Sequence, residues 1–222
     1  MAKRGLDNRR YIIVCMALVL FIILFSFFID SIFPLPDVDE IIPSTILLGD
    51  MDKDALYRDT DIPNGTVTII EFSDFECPYC REAQTILKRA KEDYGDKVQI
   101  IFRHFPTGHT FSTAAAEASE CAADQGMFWP YHDRLFNSHI SSMQDFVDFA
   151  EDMGLDKCEF SDCLLTHKKL DIVNQDAKLG MSMNVPGTPT FIIGDEHILG
   201  IPDYSRLEEI IDAQLEAIDD GE

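Results

Sequence analysis

Six cysteines stand in this 222-residue chain, and two of them, Cys77 and Cys80, lie three apart in Glu71-Phe72-Ser73-Asp74-Phe75-Glu76-Cys77-Pro78-Tyr79-Cys80. Cysteines at that spacing serve two chemistries, thiol–disulfide exchange and zinc binding. Exchange needs one sulfur held as a thiolate and a second close enough to attack a mixed disulfide formed at the first. Zinc usually needs a second C-x-x-C or a histidine pair at ligand spacing. Cys158 and Cys163 are five apart in a helical pattern, which does not supply such a set, so no metal is expected. A structural disulfide between Cys77 and Cys80 is the other bland reading of the pair.

The elements around the pair decide in favour of exchange. Thr66 to Phe72 is an apolar, β-branched run that reads as a buried strand, and it breaks at Ser73-Asp74. A helical pattern starts after Cys77. Pro78 falls at the first helical position, where its missing N–H costs nothing. Cys77 then occupies the helix N-cap, facing unpaired N–H groups and the positive end of the helix dipole, and both stabilise a thiolate. Cys80 lies one turn further in.

Beyond Cys80, Ala83, Ile86, Leu87 and Ala90 recur at helical spacing as far as Tyr94, and Gly95 stops the helix. Val98–Phe102 reads as a second strand, so strand, helix and strand suggest a parallel βαβ unit. Residues 109–184 read as almost wholly helical. Ser112 opens an Ala-rich helix closed by Gly126, and Phe128–Ser138 and Ser142–Met153 follow. A further helix carries Cys158 and Cys163, and another carries Leu170 to Leu179. Thr190–Ile193 and His197–Leu199 read as short strands around Gly194-Asp195. Ser205-x-x-Glu208 has the form of a capping box before a helix whose apolar face holds Leu207, Ile210, Ile211, Leu215 and Ile218. His104, His109 and His132 are expected to do no more than hydrogen-bond, and Trp129 is expected in the core.

Charge and hydropathy are divided unevenly. The formal net charge is −22, but residues 1–29 carry +3 and the remainder −25. Tyr11–Ile29 contains no charge and, as a helix, spans roughly the hydrocarbon core of a bilayer. The basic flank of Lys3, Arg4, Arg9 and Arg10 is expected to stay in the cytoplasm, sending the acidic remainder outside. A cleaved signal peptide would have a shorter apolar region and a small-x-small site. The run here ends in Phe27-Phe28-Ile29-Asp30, so an uncleaved single-pass anchor is expected. Cys15, within it, is expected as an apolar filler, with palmitoylation as the other reading. Pro34, Pro36 and Pro43 mark a stiff tether, Ile46-Leu47-Leu48 reads as a short edge strand, and Pro63-Asn64-Gly65 signals a turn. An acidic exterior repels phosphates, so no nucleic-acid partner is expected.

Three segments together resemble the DsbA-like thiol–disulfide oxidoreductases of the thioredoxin superfamily. They are Glu71 to Cys80, the helical stretch Cys121-Ala-Ala-Asp-Gln-Gly-Met-Phe-Trp-Pro-Tyr-His132, and Val185-Pro-Gly-Thr-Pro-Thr-Phe191. The resemblance covers most of Thr66 to Ile218. It implies an α/β thioredoxin fold with an inserted helical subdomain, here preceded by one transmembrane helix. The chain then divides into a basic flank (1–10), an anchor (11–29), a tether and edge segment (30–65), a first half-fold with the C-x-x-C (66–108), the helical insert (109–184) and a second half-fold with a cis-proline loop (185–222).

The resemblance also implies roles. Cys77 and Cys80 are the redox pair. Thr188-Pro189 matches the family's cis-proline loop, with Thr188, Pro78 and Tyr79 meeting substrate; an ordinary trans proline at a strand start is the other reading of Pro189. Glu71 matches an acidic position that exchanges protons with the second cysteine, against a plain strand-end glutamate reaching solvent. Cys121 and Cys163 match cysteines that form a second disulfide in related proteins, with Cys158–Cys163 as the rival pairing. Tyr79 stands where the best-known DsbA enzymes have histidine. The expected potential therefore lies between about −270 mV for thioredoxin and about −120 mV for DsbA.

On these grounds the chain is expected to be an extracytoplasmic dithiol oxidase acting on reduced, exported proteins. Such an enzyme needs no cofactor and is reoxidised by a membrane quinone-linked partner of the DsbB or VKOR type. A reductase or isomerase fed electrons across the membrane is the alternative within the same chemistry. A non-catalytic binding or chaperone module is the alternative outside it.

Overall fold

A computed structural model describes residues 65–219. The anchor at Tyr11–Ile29, the tether and the Ile46-Leu47-Leu48 strand lie outside the described residues, and no described helix is long and apolar enough to cross a membrane.

Strand β1 (Val67–Ser73) leads through the Cys77 turn into helix α1 (Pro78–Tyr94). Its buried positions Cys80, Ala83, Leu87 and Ala90 form one stripe. Gly95, at φ 57°, stops it in a conformation glycine adopts without steric cost. A short 3₁₀ turn then feeds β2 (Val98–His104), which pairs parallel with β1 from Val67–Val98 to Ser73–His104. Five helices follow: α2 (Ser112–Ala123), α3 (Phe128–Phe136), α4 (Met143–Asp152), α5 (Lys157–Leu165) and α6 (Leu170–Ser182). The chain returns as β3 (Thr190–Ile193), β4 (Glu196–Leu199) and α7 (Tyr204–Asp219). The sheet order is β2-β1-β3-β4, with β3 antiparallel to both of its neighbours. This is a thioredoxin-like mixed sheet with helices, and α2–α6 stand between its two halves.

The apolar side chains separate into clusters that explain the layers. Val67, Ile69, Phe191 and Ile193 point to one face of the sheet and bury against Ala83 and Leu87 of α1 and Leu207, Ile210 and Ile211 of α7. On the opposite face, Phe72 and Ile192 pack with Val185, Leu179 and Met183. There α6 comes so near that a Cβ on Gly180 would lie 2.7 Å from the Phe105 ring. The largest cluster joins the helices to the end of the sheet that carries the cysteines, through Phe75, Phe102, Phe128, Tyr131, Phe136, Phe146 and Phe160.

Buried polar pairs fasten β2 to the helices. Arg103 meets Asp176 of α6 at 3.0 Å, and the His104 N–H donates to the same carboxylate at 2.9 Å. His104 Nε2 lies 2.6 Å from Glu120 Oε1 on α2, where burial pushes the Glu120 carboxyl well above its usual range.

Two local expectations give way. Helix α7 begins at Tyr204, ahead of Ser205, and the main-chain N–H groups of Arg206 and Leu207 bond to the Asp203 carbonyl. Ser205 is thus inside the first turn and does not cap it. The capping box that forms is Ser142 with Asp145, at the start of α4. Trp129 reaches the core only in part: it is half-buried and packs against the helical cluster. It walls a groove of about 550 Å³ along α1 that Arg81, Gln84, Lys88 and Lys91 also line.

Candidate active site

The site forms where β1 ends. Cys77 has an extended backbone (φ −73°, ψ 121°) and sits at the N-cap of α1, with Pro78 directly after it. Its own N–H bonds back to the Asp74 carbonyl at 3.0 Å, which closes the turn. Phe75 anchors the loop from below. It is 1% exposed and stacks on Phe102 with ring centroids 5.1 Å apart. Pro78 and Tyr79 are exposed, and the Tyr79 side chain, 62% exposed, stands out from the surface.

The two sulfurs have different surroundings. Cys77 is 6% exposed and Cys80 fully buried, and both are free thiols. Cys77 Sγ lies 3.5 Å from the Thr188 carbonyl oxygen. The Thr188–Pro189 peptide is cis, so the loop before β3 faces the C-x-x-C turn across 111 residues of sequence. Cys80 Sγ accepts the Asp74 main-chain N–H at 3.5 Å. Burial pushes the Cys80 thiol far up, which favours its protonated form.

Glu71 is wholly buried in β1, six residues before Cys77. Desolvation raises its carboxyl to about 7, opposed by the neighbouring Ser73 and Gln84 side chains. Gln84 Nε2 donates to Glu71 Oε1 at 2.9 Å and to the Cys80 carbonyl at 3.2 Å. Ser73 Oγ is buried close to both groups and lowers each of them, against the larger effect of burial. The negative charge of Glu71 raises the Cys80 thiol further. A carboxyl that titrates near neutrality beside a buried thiol is suited to proton transfer.

The structure gathers Glu71, Cys77, Pro78, Tyr79, Cys80, Thr188 and Pro189 at one end of the sheet. Cys121 and Cys163 are elsewhere. They form a disulfide between α2 and α5, with Cα atoms 5.9 Å apart, inside the helical cluster. Cys158 is exposed on α5 and unpaired. No group of His, Cys, Asp and Glu that could hold a metal occurs among the described residues.

Sequence reasoning passed over Gln84 and Asp74. Asp74 is 2% exposed, and its carboxylate takes bonds from the loop after β2. The signal for Asp74 was a charged residue at the end of an apolar strand. Nothing in the spacing linked it to Thr107 and Ser112.

A family model described as thioredoxin matches residues 62–213, and the chain belongs to that family. Among solved structures, a thioredoxin-like oxidoreductase from Silicibacter pomeroyi DSS-3 is 26% identical with a TM-score of 0.64, over 75% of this chain and 99% of that one. BdbD from Bacillus subtilis is 27% identical with a TM-score of 0.61, over 68% of this chain and 88% of that one. The Na(+)/H(+) antiporter NhaA 3 of Salinispora tropica is 35% identical over 148 residues, which are 65% of this chain and 22% of the antiporter. The chain thus spans less than a quarter of that curated relative's length. Fold and site together are those of the thioredoxin family, with a C-x-x-C pair at a helix N-terminus facing a cis-proline loop.

Proposed function

We propose that the chain is an extracytoplasmic dithiol oxidase that introduces disulfides into exported proteins through Cys77 and Cys80. The observation that carries this reading is the Cys77 sulfur at a helix N-cap, 3.5 Å from the Thr188 carbonyl of the cis-proline loop. An extended substrate segment can pair with the Thr188 backbone in the manner of strand addition, which brings its cysteine to Cys77.

In the oxidised protein, a substrate thiolate attacks Cys77 Sγ. The Cys77–Cys80 bond breaks, its electron pair passes to Cys80 Sγ, and a mixed disulfide joins substrate to Cys77. Cys80 then takes up a proton, for which Glu71, at about 7, is the nearby buried donor. The substrate's second thiolate attacks the substrate sulfur of the mixed disulfide and releases Cys77. Two substrate thiols are oxidised and the pair is reduced. A membrane quinone-linked reoxidase of the DsbB or VKOR type would then accept the two electrons and two protons.

Two features support the compartment. The Cys121–Cys163 disulfide belongs to oxidising surroundings. The uncharged run Tyr11–Ile29 behind a basic flank suits a single-pass anchor with the catalytic domain outside. The compartment supports the direction, because exported clients arrive with reduced cysteines. Trapping thiols in intact cells tests it: Cys77 and Cys80 should be mostly oxidised at steady state. A mostly reduced pair would overturn the oxidase direction in favour of a reductase or isomerase.

A further inference from the structure

We propose that Asp74 is a positioning residue for exchange: its carboxylate clamps the loop before Cys77 to the loop after β2, and so holds its own main-chain N–H on Cys80 Sγ. The inference rests on thiol–disulfide exchange at this pair and goes beyond it by assigning Asp74, Thr107 and Ser112.

A carboxylate that is 2% exposed needs compensation, and Asp74 receives it from four donors. Oδ1 accepts the Glu76 N–H at 3.0 Å. Oδ2 accepts the Thr107 N–H at 2.7 Å, the Thr107 hydroxyl at 2.6 Å and the Ser112 hydroxyl at 2.8 Å. Three of the four come from a segment 33 to 38 residues away, and no cation is among them. Glu76 adds a second tie to the same segment by accepting the Phe111 N–H. The main chain of Asp74 meanwhile serves both cysteines. Its carbonyl accepts the Cys77 N–H at 3.0 Å, and its N–H points at Cys80 Sγ at 3.5 Å. One residue thus joins the distant loop to both redox residues.

The consequence is kinetic. When a thiolate attacks Cys77 Sγ, the old S–S bond breaks and its electron pair develops on Cys80 Sγ. That sulfur is buried, and burial disfavours its charge. A donor already aimed at it stabilises the departing thiolate, and exchange runs faster with a better leaving thiolate. Once Cys80 is protonated the donor matters less. The clamp should therefore affect the rate of opening more than the equilibrium between disulfide and dithiol.

The test uses the whole 222-residue chain, oxidised and then mixed with reduced glutathione. Asp74→Ala should slow opening of the Cys77–Cys80 disulfide about tenfold, the worth of one hydrogen bond to a charged sulfur, while the equilibrium constant moves less than about threefold. A double variant, Thr107→Val with Ser112→Ala, keeps the Asp74 charge and removes two donors. It should slow opening by about threefold. A wild-type rate in folded Asp74→Ala, or equal changes in rate and equilibrium, would overturn the proposal. Should Asp74→Ala not fold, the double variant decides, and an unchanged rate there overturns it. A wild-type chain that does not exchange with glutathione would overturn the exchange reading itself, whereas exchange in the wild type with unaltered variants removes only the clamp.

Discussion

The chain holds two buried cysteine pairs, and they differ in their place in the fold and in the polarity around them. Cys77 and Cys80 sit at a strand-to-helix turn, one sulfur near the surface and the other below it. Around them are a carbonyl, a main-chain N–H, a buried carboxyl and an amide. Cys121 and Cys163 sit within two helices, 1% and 3% exposed, among aromatic and aliphatic side chains. Neither heads its helix. Polarity and position, rather than the presence of two sulfurs, are what would make the first pair reactive and the second a staple.

Removing one sulfur from each pair should break this contrast most sharply. Cys77→Ser should abolish exchange with glutathione and with a reduced, unfolded client, because no Cys77–Cys80 disulfide can form and the sulfur that remains, on Cys80, is fully buried. Cys163→Ser should leave the exchange rate within about twofold but lower unfolding free energy by about 2–4 kcal/mol, the usual worth of a disulfide. Urea titration measures the second effect and stopped-flow fluorescence the first. Loss of exchange in Cys163→Ser at full stability would place chemistry in the wrong pair.

Glu71 should show its effect through pH. Glu71→Gln keeps the Gln84 contact in reach but cannot move a proton, so exchange should slow by about a hundredfold near neutrality. The wild-type rate should bend near pH 7 and the variant's should not. Stability moves as well. The folded carboxyl binds its proton more tightly than the unfolded one, so between about 4.5 and about 7 the folded state holds more protons. Stability should therefore fall as pH rises through that window, by on the order of 3 kcal/mol from this group alone. Thermal melts across the window should show a shallower decline in Glu71→Gln.

The smallest expected effect is at Tyr79. Its side chain is exposed and cannot carry positive charge beside Cys77. Tyr79→His should stabilise the Cys77 thiolate and raise the potential by about 30 mV, a tenfold change in the equilibrium with glutathione. An unchanged potential would mean that position 79 does not tune the pair.

Much of the frame was readable along the chain. The buried run before Cys77, Pro78 after it and the stripe through Ala83, Leu87 and Ala90 place a C-x-x-C at a strand-to-helix turn by local rules alone. The helices between β2 and β3 follow from periodicity and glycine stops, within a few residues at their ends. Ser205 shows where such reading slips: the Asp203 carbonyl starts α7 first, and a four-residue pattern cannot reveal which residue closes the turn. Trp129 slips for a different reason. An apolar residue on a helix can line a groove as readily as a core, and the choice depends on what lies opposite.

The sequence alone located the C-x-x-C pair at its turn, the element order and the charge division, because each depends on neighbours within a turn or two. Only the tertiary structure decided which loops meet. The Thr188 carbonyl at Cys77, the Thr107 and Ser112 donors at Asp74 and the pairing of Cys121 with Cys163 join residues 33 to 111 apart. Such contacts form because β3 lies beside β1 and the helices fold back onto β2. They are set by the packing of whole layers, to which no single stretch of residues holds the key.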